Sequence, residues 1–347
     1  MSVKNILLLL TLISFSFFNC KDENQAVTNP AEDASPKTIV ELIGSLKTAG
    51  NRIVGEADTA VVLRGMSLFW SQWGGKYYNE ECVRWLKDDW KCTIVRASVG
   101  IESGGYLSNP DAEMQKAETV INAAINLGIY VIVDWHDHHA ENHLEEAKEF
   151  FKTIAQKYGD KPNLIYEIYN EPMQVSWSKV VKPYAVEVIK TIREYDPDNL
   201  IVVGNPTWSQ DVDVAAKDPI DDVNVAYSLH FYSSTHRQYN RTKAANALAN
   251  GAALFVTEYG LSEASGNGNI DMNEANRWFD FMEQNKLSSC NWSVMDKNES
   301  SAALKPGASA TGGWNESDLT LSGNTIRNYI RSHNAPLFEL LTKQSKR

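Results

Sequence analysis

The sequence predicts a parallel eight-stranded barrel wrapped by helices, a single-domain (β/α)8 TIM barrel, and three observations predict it. From about residue 61, apolar β-prone runs alternate with amphipathic helical runs. The strand-like runs number eight. Seven of the eight carry polar or aromatic residues toward their C-terminal ends. A strand that is apolar throughout and flanked by helices is buried on both faces, which means a parallel sheet. Eight such units close into a barrel whose chemistry sits at the C-terminal ends of the strands. The 347 residues, 43% hydrophobic, supply ample core for one barrel of about 250 residues. A doubly wound open sheet is the rival, but it would want a glycine-rich phosphate loop after the first strand, and "RGMSLFW" is not one.

The elements follow in chain order. Lys4 gives a short positive start, and Ile6 to Phe18 is an apolar run too short to span a bilayer comfortably, so residues 1–19 read as an export signal. Cys20 then stands where a bacterial lipoprotein is cut and lipidated, although Phe18 and Asn19 occupy positions where small residues are usual. Residues 20–36 have the composition of a flexible tether. Lys21, Asp22 and Glu23 also resemble the surface-export tethers of some Gram-negative lipoproteins. The expectation is an outer-membrane lipoprotein facing the periplasm or the cell surface; the alternative is an ordinary signal peptide and a secreted chain. The folded domain is expected over 37–347.

Asn51 to Ala60, turning at Gly55, is expected to form a small hairpin on the barrel floor. The strands are read as Val61–Ser67, Thr93–Gly100, Tyr130–His136, Leu164–Glu171, Leu200–Pro206, Val225–Tyr232, Ala253–Gly260 and Ser288–Lys297. Helical patterns lie between them, such as "ECVRWLKDDW", "AEMQKAETVINAAINLG" and "NEANRWFDFMEQNK", with a last helix starting near Ser322, and the loops after the strands read as short, so that nothing walls off one end of the barrel mouth.

The formal net charge is -11, and Lys and Arg are scattered without a basic stripe, which excludes nucleic acid as a partner. Ten tryptophans on an acidic chain suit a neutral ligand with apolar faces, as sugars have. Beyond Cys20, the odd count of Cys82, Cys92 and Cys290 gives no disulfide framework, and buried free thiols are expected. No cofactor, metal or partner subunit is called for, and a monomer is expected.

Glu171 and Glu258 end the fourth and seventh strands. Two carboxyls facing one cleft are the requirement for glycoside hydrolysis: one protonates the leaving oxygen, and the other attacks the anomeric carbon or activates water. Burial and a neighbouring negative charge would raise the pKa of one of them and make it an acid. Asn170 can donate to a sugar 2-hydroxyl, and Arg96 and Tyr232 can orient an ionised Glu258. His136 and His230 can bind hydroxyls or Glu171. Trp292, Trp73 and Trp208 offer apolar faces to pyranose rings. Glu167, mid-strand, reads as a buried structural carboxylate, and Trp85, Trp90 and Trp278 as core.

The segments "IYEIYNEP", "VIVDWH", "YSLHFY", "FVTEYG" and "NWSVMDKNESSAAL" resemble the signatures of glycoside hydrolase family 5, in particular its bacterial endo-β-1,4-glucanases, from about Lys37 onward. The resemblance implies retaining hydrolysis of cellulose or a related β-glucan, with Glu171 as acid/base and Glu258 as nucleophile. It matches Arg96, His136, Asn170, His230, Tyr232 and Trp292 to other active-site positions, and Lys297 and Glu299 to sugar contacts. Where some relatives carry a histidine and glycine after the first strand, this chain has Leu68, Phe69 and Trp70, which touches the distal sugar subsites.

Mixed-linkage glucan, mannan and xylan remain alternative substrates for the same machinery. Two readings of other classes compete. "DWHDHHAENH" holds His136, His138, His139 and His143, and a His-x-His after a barrel strand is a metal signature of other barrel hydrolases. A glycan-capturing surface lipoprotein without catalysis would be expected to have lost a catalytic carboxylate, and this chain carries both.

Overall fold

The computed structural model describes residues 38–344. The export signal, Cys20 and the tether lie outside the described residues. Two short strands, β1 (Lys47–Ala49) and β2 (Arg52–Val54), pair antiparallel. Eight more follow: β3 (Arg64–Leu68), β4 (Ile94–Gly100), β5 (Tyr130–His136), β6 (Leu164–Glu167), β7 (Ile201–Val203), β8 (Val225–Tyr232), β9 (Leu254–Gly260) and β10 (Ser289–Val294). They close in sequence order, every pairing parallel, with β10 returning to β3. This is the expected (β/α)8 barrel.

The helices form where the sequence supplies their ends. Asn79 caps Glu80–Asp88 by accepting from the Cys82 N–H. Pro110 opens Pro110–Leu127, and Gly128, left-handed at φ 64°, closes it. Asp271 caps Met272–Asn285 through two backbone N–H groups. A helix at Leu144–Tyr158, absent from the patterns quoted above, packs Ala147, Phe150, Phe151 and Ile154 on the barrel. The last helix runs Leu321–Gln344.

Three details differ from the sequence reading. The expected Asn51–Ala60 turn at Gly55 is present, with Val54 bridging Ala60 and the Val61 N–H donating to Ile53, but β2 also pairs back on β1 across Gly50 and Asn51, which makes a hairpin over residues 47–54 that the sequence did not show. The Asn224 side chain ties it beneath β8, accepting from the Thr48 N–H at 2.7 Å and donating to the Leu46 carbonyl at 2.7 Å. The fourth barrel strand stops at Glu167, four residues before Glu171. The stretch after it still follows the barrel wall, with Ile168 N–H donating to Val202 and Asn170 N–H to Trp135. It lies so close to Gly204 that a Cβ there would stand 2.1 Å from the Tyr169 carbonyl oxygen. Finally, the loop after β10 is long, covering residues 295–320 with an isolated bridge between Leu304 and Leu319. Cys82, Cys92 and Cys290 are buried and free, as expected.

Candidate active site

The C-terminal mouth of the barrel is built around Arg96, which is wholly buried on β4. Its Nε donates to Glu167 at 2.7 Å, Nη1 to Glu258 at 2.9 Å, and Nη2 to Asn170 Oδ1 at 2.8 Å; Nη2 also pairs with Asp134 at 2.9 Å. Asp134 and Glu167 face each other across the β5–β6 register, so one guanidinium spans several strand ends. Because Asn170 accepts through its oxygen, its amide hydrogens remain for a ligand. Glu167 also accepts from Ser228 at 3.0 Å and from Thr257 at 2.6 Å. It is a structural carboxylate, as its mid-strand position suggested.

Glu258 and Glu171 differ in their neighbours. Glu258 accepts from Arg96 and, at 2.8 Å, from the Tyr232 hydroxyl. Glu171 meets His230 Nδ1 at 2.9 Å and His138 Nε2 at 3.2 Å. A ligand atom of each of Glu171, His230 and Glu258 lies within 4.8 Å of the others, so the two carboxylates converge. Burial works to raise the Glu171 carboxyl, but the bonds from His138 and His230 outweigh it and hold it at about 2. Burial also opposes a charged His230, yet its bonds to Glu167 and Glu171 lift it to about 9. Burial pushes Glu258 up; the His230 charge opposes this, the Glu171 charge adds to it, and Arg96 and Tyr232 pull it back. The carboxyl that burial and a neighbouring charge raise is thus Glu258, and not the acid/base candidate Glu171, which its two imidazoles hold low.

The histidines of "DWHDHHAENH" divide into two pairs: His136 and His138 line the mouth, while His139 and His143 lie outside it near Glu102. His136 bonds Asp134 at 2.6 Å rather than Glu171, and burial and the charge of Arg96 keep it neutral. Its ring stacks on Trp292 at 5.1 Å and 4°, with Trp70 edge-on at 4.1 Å. His138 was grouped in the sequence only with metal candidates, yet it is the second imidazole on Glu171. Its spacing two residues past the strand-ending His136 was the available signal. Asp134 was also missed; inward on β5 beside Arg96, it was readable from strand alternation.

Two cavities meet at the carboxylates. One of about 300 Å³ is lined by Phe69, Trp70, Trp73, Trp292, Lys297 and Glu299 beside Glu171 and Glu258. The other, about 530 Å³, is lined by Thr207, Trp208, Gln210, His230 and His236, again with both carboxylates. Trp73 is 55% exposed, an open platform. Trp292 is only 5% exposed, with its face partly taken by His136. Lys297 pairs with Glu299 and lies over the Phe69 ring at 5.5 Å. Thr207, Trp208 and Ser209 all adopt left-handed backbone, at φ 59°, 54° and 54°. Such a run persists only where its surroundings impose it, and here Thr207 and Trp208 N–H groups donate to the Met173 and Pro172 carbonyls.

Residues 54–298 match the family model described as Cellulase (glycosyl hydrolase family 5). The chain belongs to glycosyl hydrolase family 5. This family 5 chain is 50% identical over 291 residues to endoglucanase Z of Dickeya dadantii, covering 83% of itself and 66% of that protein. To endoglucanase A of Evansella cellulosilytica it is 49% identical over 276 residues, covering 78% of itself and 56% of that protein. It thus spans about two thirds or less of these curated relatives. A solved structure from Cytophaga hutchinsonii superposes with TM-score 0.87 at 54% identity, over 87% of this chain and 99% of that one. The catalytic domain of Thermobifida fusca endoglucanase Cel5A, solved in complex with cellotetraose, superposes with TM-score 0.82 at 35% identity, over 85% and 100%.

Proposed function

We propose that this chain is a retaining endo-β-1,4-glucanase acting on cellulose or a related β-glucan, with Glu258 as nucleophile and Glu171 as general acid/base. The observation that carries the assignment is the different company of the two carboxylates. Imidazoles exchange protons near neutral pH; guanidinium and phenol do not. Glu171, between His230 and His138, can be given a proton and can lose it. Glu258, between Arg96 and Tyr232, is aimed by donors that hold their own protons. In the first step a Glu258 oxygen bonds to the anomeric carbon as the glycosidic C–O bond breaks. The leaving oxygen takes the proton of Glu171, which the adjoining imidazole passes to it before the bond breaks and which the second step restores. In the second step Glu171 takes a proton from water, whose oxygen replaces Glu258 at the same carbon and restores the original configuration. The convergence of the carboxylates supports this route, because retaining pairs stand about 5–5.5 Å apart whereas inverting pairs leave room for water at about 6.5–9.5 Å.

Glu258→Ala should abolish turnover on every substrate, and azide should then restore some activity with inverted products. Glu171→Ala should be least harmful on aryl glycosides with good leaving groups, which need little protonation. Identical responses of the two variants would refute the assignment. Purified mixed-linkage glucan, mannan and xylan, assayed beside cellulose, decide the polysaccharide.

The anchor belongs to the same proposal: Cys20 is lipidated and holds the enzyme at the outer membrane, as the sequence of residues 1–23 supports. Labelled fatty acid should enter the intact chain and not the Cys20→Ala variant; no label in either would mean a secreted protein, and equal labelling would refute Cys20 as the attachment site.

A further inference from the structure

Two histidines stand beside the cleft without a part in hydrolysis. His139 and His143 lie on the loop between β5 and the Leu144–Tyr158 helix, and Glu102 lies on the loop after β4. His139 Nδ1 is 3.7 Å from Glu102 Oε1, and His143 Nε2 is 3.9 Å from the same oxygen. These separations are too long for hydrogen bonds. They come close to the edge of a ligand tetrahedron, about 3.4 Å for donors some 2.0–2.2 Å from an ion. Asp137, with its side chain almost wholly buried, accepts from His143 Nδ1 at 2.7 Å and from the His139 N–H at 2.9 Å. The first bond fixes the tautomer of His143 and leaves the lone pair on Nε2, the atom turned toward Glu102. A carboxylate that orients a histidine in this way is the usual support of a metal ligand. The donor atoms that all lie within 4.8 Å of one another are those of Glu102, Asp137 and His139, and His143 joins them through the 3.9 Å approach of its Nε2 to Glu102 Oε1.

We propose that Glu102, His139 and His143, oriented by Asp137, form a non-catalytic site for a divalent cation of the zinc class on the rim of the cleft. Two imidazoles with one carboxylate favour zinc over magnesium or calcium, which prefer oxygen alone. The cation would tie the loop after β4 to the loop after β5. The latter carries His138, one residue before His139, and so reaches Glu171. The proposal does not depend on the polysaccharide that the enzyme cuts.

Chelator-treated full-length protein should be titrated with zinc chloride by calorimetry, with thermal unfolding followed in parallel. One equivalent should bind with a Kd tighter than about 10 μM, and zinc should raise the melting temperature. His139→Ala combined with His143→Ala should abolish both effects, and Asp137→Asn should weaken binding by about 10–100-fold. His139→Ala and Glu102→Gln should keep the wild-type circular dichroism spectrum and metal-free hydrolysis while binding zinc at least tenfold more weakly. No binding by the wild-type chain, or equal binding by the folded double variant, would overturn the site.

Discussion

Arg96 is fully buried against Asp134, Glu167 and Glu258, three carboxylates that would repel one another without it. Removing one partner of a buried ionic group leaves charge uncompensated at low dielectric, which costs about 3–5 kcal/mol. Arg96→Met should therefore lower the urea unfolding free energy by about that much and leave Glu258 without its aiming donor; a loss below about 1 kcal/mol would show that the cluster neutralises itself instead. The His230–Glu171 pair sets a pH window. His230 is raised from 6.5 to about 9, so its contribution to stability is full below 6.5 and is lost as pH climbs through about 9. Glu171 is depressed from 4.5 to about 2, so its contribution is present above 4.5 and is lost as pH falls through about 2. In the proposed mechanism the proton that Glu171 donates comes from the imidazole of that pair. The alkaline limb of kcat/KM should accordingly lie near 9, and His230→Asn should move it to lower pH. A limb that stays in place in the variant would take His230 out of the proton path.

The strands were legible because an apolar run between amphipathic helices has few other fates, and β5 and β8 were readable to the residue. What escaped the sequence was packing-dependent. Residues 168–171 look strand-like by composition, but they leave the regular ladder while pressing on Gly204, a contact known only once β7 is in place. Glu171 was legible as a mouth residue; its two imidazoles were not equally so. His230 ends a strand, whereas His138 lies in a loop whose path depends on Asp137 and Tyr169. The turn holding Trp208 was also hidden, since no glycine marks its three left-handed residues. That turn carries its own prediction. Trp208→Ala retains the left-handed backbone penalty of a non-glycine residue, so it tests the ring. One stacked ring contributes on the order of 1 kcal/mol, so long oligosaccharides should bind roughly tenfold more weakly or less. Short aryl glycosides should be affected less. Calorimetry with cello-oligosaccharides of rising length makes the comparison, and a loss independent of length would make Trp208 a structural residue.

At the scale of the molecule, the mode of attack depends on whether the mouth is a groove or a blind pocket. Short loops all round were expected to leave it open. The 295–320 loop is instead long, and its Lys297 and Glu299 form part of one wall. It does not close that end, because Trp73 beside it remains 55% exposed. The two cavities share Glu171 and Glu258, one running toward Trp73 and the other toward Trp208, so sugars can lie on both sides of the bond being cut. A chain gripped on both sides can enter anywhere along a polymer. On soluble carboxymethyl cellulose, viscosity should therefore fall steeply while few reducing ends have appeared. Trp73→Ala removes the exposed platform of one cavity and should slow this fall more than it slows cleavage of short aryl glycosides, because only a long chain spans that cavity. Release of reducing sugar without loss of viscosity would mean that one end of the groove is closed in solution, and the chain would then act from polymer ends.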